Sequence, residues 1–251
     1  MILEALNYAA TWPLTTPGHR PFIRYSVNLW SRAGRCAADW REHEDNSKAA
    51  ILAAMAKSRQ RRTAVVLGSG LLRDVPIVAL SRAFDTVVLV DLVHLASVRA
   101  WLGMKGLKNV RLIERDLSGY EDLRAGGEAD PLGFLRQVPY LDFVVSANLL
   151  SQIGQGAKRR LEKERGHGMP ADTLPRLIRA HLDGLAALPL QTCLVTDIAY
   201  AVIDRTGHLQ ERFDLLHGVD VPPHETEWDW PVVPFGEESR DYRIVHKVIA
   251  T

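Results

Sequence analysis

A doubly wound, mostly parallel α/β sheet of seven strands behind a helical N-terminal extension is the fold class that this 251-residue sequence predicts. Three observations carry it. Five short apolar runs recur after residue 62, at 63–67 (TAVVL), 86–90 (TVVLV), 110–113 (VRLI), 143–146 (FVVS) and 192–195 (TCLV). They lack polar alternation, as strands covered on both faces of a parallel sheet do. Helical segments fall between most of them, and alternating strand and helix is the pattern of a doubly wound sheet. The first run opens into Gly68-Ser69-Gly70, as a buried strand does when it turns into a helix. The length suits one such domain with an appendage. The expected division is an arm and helical cap over 1–62 and the sheet domain over 63–251.

Residues 1–25 are rich in Pro, Thr and aromatics and read as an irregular arm. From Ser26 to about Glu44 a helix is expected, because Val27, Trp30, Ala33, Ala37 and Trp40 recur every three or four residues while Arg32, Arg35 and Arg41 lie off that stripe. Ser47 reads as the N-cap of a second helix carrying Ile51, Leu52 and Met55. The clearest helix covers 172–188, with Leu174, Leu177, Ile178, His181, Leu185 and Leu188 on one stripe. The mixed-sign run 158–165 reads as a solvated helix or insertion. A long non-helical stretch, 218–241, precedes an alternating tail at 242–249 that reads as a half-exposed or edge strand.

Composition excludes several classes. The chain is 47% hydrophobic and 24% charged with net charge +1, which suggests no nucleic-acid or membrane partner. Cys36 and Cys193 form no disulfide framework and no CxxC cluster, so a reducing, cytoplasmic setting is expected and zinc is not. His208, His217 and His224 lack metal-ligand spacing. The first residues do not read as a signal peptide, and no run approaches the ~20 apolar residues of a membrane span. Residues 20–62 hold ten basic side chains against four acidic ones, interleaved with Tyr25, Trp30 and Trp40. An RNA surface has that composition, but so does a packing face beside a solvated one, which is the favoured reading.

The first strand-turn-helix carries the strongest chemical signal. Gly68 and Gly70 let the backbone turn sharply and approach a ligand, and a helix start supplies free N–H groups. Asp91 ends the next strand about twenty residues on, placed to accept hydrogen bonds from ribose hydroxyls. Together they point to an adenosine-containing ligand. Asp74, expected in the first helical turn, would repel a pyrophosphate but would welcome the cationic groups of S-adenosylmethionine; the alternative is an acid that stabilises the helix dipole.

The order VVLGSG, VVLVD, VRLIERDL, DFVVSANLLSQI resembles the successive cofactor motifs of class I S-adenosylmethionine-dependent methyltransferases, with a Rossmann-like sheet, over roughly 60–250. The resemblance implies S-adenosylmethionine as cofactor, with Gly68, Ser69, Gly70 and Asp74 at the methionine portion and Asp91 at the ribose. It implies Asp116 with Leu117 at the adenine, Ser146, Ala147 and Asn148 near the transferred methyl, and a reversed final strand. Val66 and Leu72 depart from the family's loop, at its usual acid and its third glycine, and no Asn/Asp-Pro-Pro-Tyr/Phe follows the fourth strand. His94 is a further candidate beside the ribose.

Methyl transfer is an in-line displacement that needs a positioned nucleophile and sometimes a base. Asn148 and Gln152 are candidates to orient an acceptor, Asp197 and Tyr200 lie where the fifth strand is expected to end, and His224 beside Glu225 is a candidate base. The acceptor is expected to be a small molecule or a protein side chain. Two rivals stand beside this reading. One is a methyltransferase-like binding module without catalysis that uses its basic N-terminal region on RNA or a protein. The other is a dinucleotide oxidoreductase, disfavoured by Leu72, Asp74 and the lack of a catalytic set.

Overall fold

The computed structural model describes residues 1–163 and 169–251. Three helices precede the sheet: α1 (Ile2–Thr11), α2 (Ile23–Arg35) and α3 (Ala37–Lys57). The expected apolar runs then form β1 (Thr63–Leu67), β2 (Thr86–Asp91), β3 (Val110–Glu114), β4 (Leu141–Ala147) and β5 (Gln191–Asp204). Between them run α4 (Ile77–Ala83), α5 (Ala96–Met104), the short α6 (Tyr120–Arg124), α7 (Leu150–Lys163) and α8 (Thr173–Ala186). The chain closes with β6 (Leu209–Asp214), β7 (Thr226–Val233) and β8 (Tyr242–Ala250).

The sheet runs β3-β2-β1-β4-β5-β8-β7, the first five strands parallel and β8 reversed. This is the expected seven-strand path with its reversed final strand, and β6 adds an eighth strand paired to β5 off that path. The order switches direction between β1 and β4, and the crevice at the carboxyl ends of those strands is where such sheets take ligands.

Both faces of the central strands β1, β2 and β4 are covered. On one face Ala64, Val66, Val87, Leu89, Phe143, Val145 and Val195 meet Ile23 and Val27 of α2, Ile51 and Ala54 of α3, Leu80 of α4, and Val98 and Leu102 of α5. On the other, Val65, Leu67, Val88, Val90, Val144 and Leu194 meet Leu132, Leu135 and Leu185. The cap helices therefore share the sheet's own core.

Several expectations are corrected. The stretch 1–25 is not irregular: α1 occupies most of its first half, and 3-10 turns follow over Trp12–Leu14 and Pro17–Phe22. The buried residues of α1 are the polar Asn7 and Thr11, whereas Ile2, Leu3 and Leu6 are exposed. Asn7 Oδ1 accepts the Ser97 N–H and Thr11 Oγ1 accepts the Ala96 N–H, so α1 caps the start of α5 from outside. The expected single helix 26–44 is instead broken at Cys36. Ser47 does not cap a helix but lies buried inside α3, on the stripe Trp40, His43, Ser47, Ile51, Ala54.

The fifth strand does not end near 195 but runs to Asp204. The tail is no edge strand, since β8 lies between β5 and β7, and 218–241 contains β7. Asp74 is not in a helical turn, because α4 begins three residues later. Of the run 158–165, residues 158–163 end α7 and Glu164 and Arg165 lie outside the described residues. No described helix is long and apolar enough to cross a membrane.

Candidate functional site

The loop after β1 turns through left-handed backbone at Gly68 (φ +70°), Gly70 (φ +50°) and Leu72 (φ +60°). A Cβ at Gly68 would lie 2.8 Å from Leu149 Cβ and 2.9 Å from the Ala147 carbonyl, so this glycine lets β4's exit pass close by. A Cβ at Gly70 would face open space, with only the Gly68 carbonyl at 3.8 Å. The Gly70 N–H donates to Asp91 Oδ2 at 2.7 Å, and the Leu92 N–H to Oδ1 at 2.7 Å. The glycine turn and the strand-end acid are thus one hydrogen-bonded unit. Burial raises the Asp91 pKa against the pull of these backbone donors.

Two residues past Leu72, Asp74 turns inward. Its Oδ2 accepts a 2.6 Å hydrogen bond from Asn148 Nδ2, at the left-handed residue (φ +47°) that ends β4. Asn148 Oδ1 is buried and without a hydrogen-bond partner among the described residues. His43 of α3 stands behind the pair, its Nε2 at 3.3 Å from Asn148 Nδ2. Trp228 Nε1–H donates to His43 Nδ1 at 3.1 Å, so the neutral ring carries its proton on Nε2 and that contact joins two donors. Burial lowers the His43 pKa to about 4, against the attraction of Asp74 and Asp197. Arg73, next in the loop, is tied to Glu44 of α3 at 2.5 Å.

A second cluster adjoins the first across the sheet. His246 Nδ1 lies 2.5 Å from Asp197 Oδ2, and Ser151 Oγ donates to Asp197 Oδ1 at 2.5 Å. Burial of Asp197 works to raise its pKa, but the hydrogen bonds from His246 and Ser151 prevail and hold it below the ordinary carboxyl value. Between Asp197 and Ala199 the pairing with β8 shifts by one residue, so Ile198 is a bulge. Residues three apart on a regular strand face opposite ways. The bulge brings Asp197 and Tyr200 to one face, where both flank His246. Tyr200 stacks on His246 and on Phe213, and Trp230 meets His246 edge-on and stacks on His43 at 3.9 Å.

The structure brings together Gly68, Ser69, Gly70 and Asp91, joins Asp74 to Asn148, and gathers Asp197 with Tyr200. Gln152 Nε2 donates to the Asn148 carbonyl at 3.0 Å. Asp116 follows β3, one oxygen accepting the Ser118 N–H at 2.9 Å and the other 3.4 Å from Arg160. Leu117 and Ala147 are core residues. Other candidates point elsewhere. Ser146 Oγ is 2.9 Å from His181 Nε2 of α8, behind the sheet. His94 is buried and donates from Nε2 to the Ile113 carbonyl. His224 sits in a loop with Nδ1 on the Pro222 carbonyl, away from both clusters, and Glu225 pairs with Lys57.

Residue-by-residue reading missed His43, Ser151, Trp228, Trp230 and His246. The signal for three of them was available, because W-x-W in β7 and His246 in alternation with Val248 put their rings on one sheet face. Much of the basic excess of residues 20–62 is matched inside the fold: Arg32 and Arg35 pair with Glu237, Arg32 with Glu238, Lys57 with Glu225 and Arg62 with Asp142.

No family model matches the chain, nor does any curated protein at a significant level. Among solved structures, the DhpI–SAM–HEP complex is similar at 19% identity and TM-score 0.40, over 87% of this chain and 78% of that one. The N-methyltransferase NodS from Bradyrhizobium japonicum WM9, in complex with S-adenosyl-L-homocysteine, is similar at 13% identity and TM-score 0.41, over 83% and 86%. An O-methyltransferase family protein from Burkholderia thailandensis is similar at 13% identity and TM-score 0.40, over 91% and 61%. The strand order and reversed last strand are those of a doubly wound, Rossmann-like sheet, the fold implied by the sequence's resemblance to class I S-adenosylmethionine-dependent methyltransferases.

Proposed function

We propose that this protein binds S-adenosylmethionine across the carboxyl ends of β1, β2 and β4 and transfers its methyl group to an acceptor. One observation carries the reading. At the mouth of the glycine turn stand a carboxylate, Asp74, and a buried amide oxygen, Asn148 Oδ1, that lacks a donor among the described residues. An ammonium group satisfies both, whereas a pyrophosphate would add negative charge beside Asp74. Asp91 retains lone pairs for ribose hydroxyls after accepting its two backbone donors, and open space over Gly70 leaves room for a ligand to approach the backbone. Asp116 and Leu117 would border the adenine. When bound, the cofactor supplies an electrophilic methyl on a sulfonium.

The test is calorimetric titration with S-adenosylmethionine, S-adenosylhomocysteine and NADH. Heat with the first two and none with NADH is expected; no heat with either sulfur ligand, on folded protein, sinks the reading. Asp91→Ala is expected to weaken S-adenosylhomocysteine binding by about 1.5–3 kcal/mol, the worth of hydrogen bonds to a charged group.

A further inference from the structure

The second cluster is organised as a row. Phe213 of β6, Tyr200 of β5, His246 of β8 and Trp230 of β7 are successive cross-strand partners. Their rings follow one another at centroid distances of 4.7, 5.6 and 5.9 Å, and His43 extends the row from Trp230 to Asn148. The row therefore begins at the methyl-donor site. It ends in the open, because β6 is exposed along its length and Phe213 is 44% exposed.

His246 is the one ring of the row held by a carboxylate. Asp197 can only accept, so Nδ1 of His246 carries the proton and the neutral ring presents a bare lone pair at Nε2. Nε2 takes no hydrogen bond from the described residues, and the His246 side chain is 11% exposed. This is the arrangement of a general base oriented by an acid.

We propose that His246 is the general base for a planar aromatic acceptor bearing an ionisable hydroxyl, lodged against the His246 and Tyr200 rings with its hydroxyl turned toward the methyl-donor site, with Asp197 as its positioning residue. This rests on the methyl-transfer reading above. The choice of a hydroxyl follows from the base itself. A neutral hydroxyl is a weak nucleophile until its proton leaves, whereas a neutral amine attacks through a free lone pair and needs no base until afterwards. The choice of an aromatic ring follows from the row, since ring-on-ring contacts favour planar ligands. The acceptor O–H proton passes to Nε2, and the resulting oxyanion then forms the O–CH3 bond. The S–CH3 bond breaks with its electron pair staying on sulfur, and the imidazolium, held by Asp197, later yields its proton to water.

The experiment uses the full chain with S-adenosylmethionine, 7-hydroxycoumarin and 4-nitrophenol as chromophoric probes, and benzylamine as a control. The wild type is expected to bind the phenols, to show bound phenolate absorbance below the pH at which the free probes ionise, and to methylate them in preference to benzylamine. His246→Gln should abolish the phenolate band and lower the methylation rate by roughly 10²–10⁴-fold, the usual worth of a general base, while S-adenosylhomocysteine affinity is unchanged. The titratable groups facing His246 are Asp197 and Tyr200 from β5 and His43 from α3. Asp197→Asn should lower kcat for the phenols with little change in their KM, because the His246 ring is no longer held with its Nε2 lone pair toward the acceptor. Tyr200→Leu should raise the phenols' KM more than it lowers kcat. Intact phenolate absorbance and methylation in His246→Gln overturns the proposal, as does failure of the wild type to bind either phenol, or preferential methylation of benzylamine. Failure of the wild type to bind S-adenosylhomocysteine sinks the methyl-donor reading, and this proposal with it.

Discussion

At Gly68 and Gly70 the same residue type answers two different demands, and substitution separates them. Gly68→Ala forces a Cβ against Leu149 and the Ala147 carbonyl in left-handed backbone. Overpacking of about 1–3 kcal/mol and left-handed strain of roughly 1–2 kcal/mol both apply there. Gly70→Ala meets only the strain. Chemical denaturation should therefore show Gly68→Ala as the less stable variant, while the Gly70→Ala loss should fall more on S-adenosylhomocysteine affinity. The two cysteines supply a contrasting expectation. Burial raises both thiol pKa values, that of Cys193 to about 12, so neither should react with a thiol reagent in the folded protein. Prompt modification at neutral pH without unfolding would contradict this placement.

Among the elements, α1 shows why part of the fold was illegible in the sequence. Helices are recognised by an apolar stripe, yet α1 docks by Asn7 and Thr11 and turns Ile2, Leu3 and Leu6 outward. Its contribution is to supply the first N–H groups of α5 with acceptors, a capping role played by a distant segment. Thr11→Val keeps the shape and removes the acceptor, and should cost about 0.5–2 kcal/mol of stability, as loss of an N-cap does. α3 is hard to read from sequence for a related reason. His43 and Ser47 occupy core positions of its stripe, so a continuous buried face resembled a polar gap between two helices. The central parallel strands, by contrast, are plain, because burial on both faces leaves an unbroken apolar run. β6 carries no such mark, exposed as it is along both faces.

The whole molecule couples its stability to pH through three buried imidazoles, His43, His94 and His181, each with its pKa lowered by burial. Burial lowers the pKa of His43 and of His181 to about 4, below the unfolded value near 6.5. Between those values the unfolded chain binds more protons than the folded one, so stability rises with pH from about 4 to about 6.5 and is level above. Acidification across that window should cost on the order of 3 kcal/mol per group. His181→Gln can keep a hydrogen bond to Ser146 and should flatten the slope in urea titrations at stepped pH; an unchanged slope would show that His181 protonates freely in the fold. The first site cluster was legible in part, since Gly68, Gly70, Asp74 and Asp91 stand in local motifs. Of the second, Asp197 and Tyr200 stand out near the end of the fifth run, but their assembly with His246, Trp230 and Phe213 does not, because those rings come from strands far apart in the chain and the pairing offset at Ile198 breaks the alternation by which sheet faces are read.

That offset bears on how such a site could arise or vanish. Were Ile198 deleted in frame, β5 would pair with β8 without interruption, and either Asp197 or Tyr200 would swing to the far face. The base would lose its carboxylate or its aromatic neighbour although neither side chain had been exchanged. A change of one residue in strand length would thus dismantle the cluster as surely as a substitution within it.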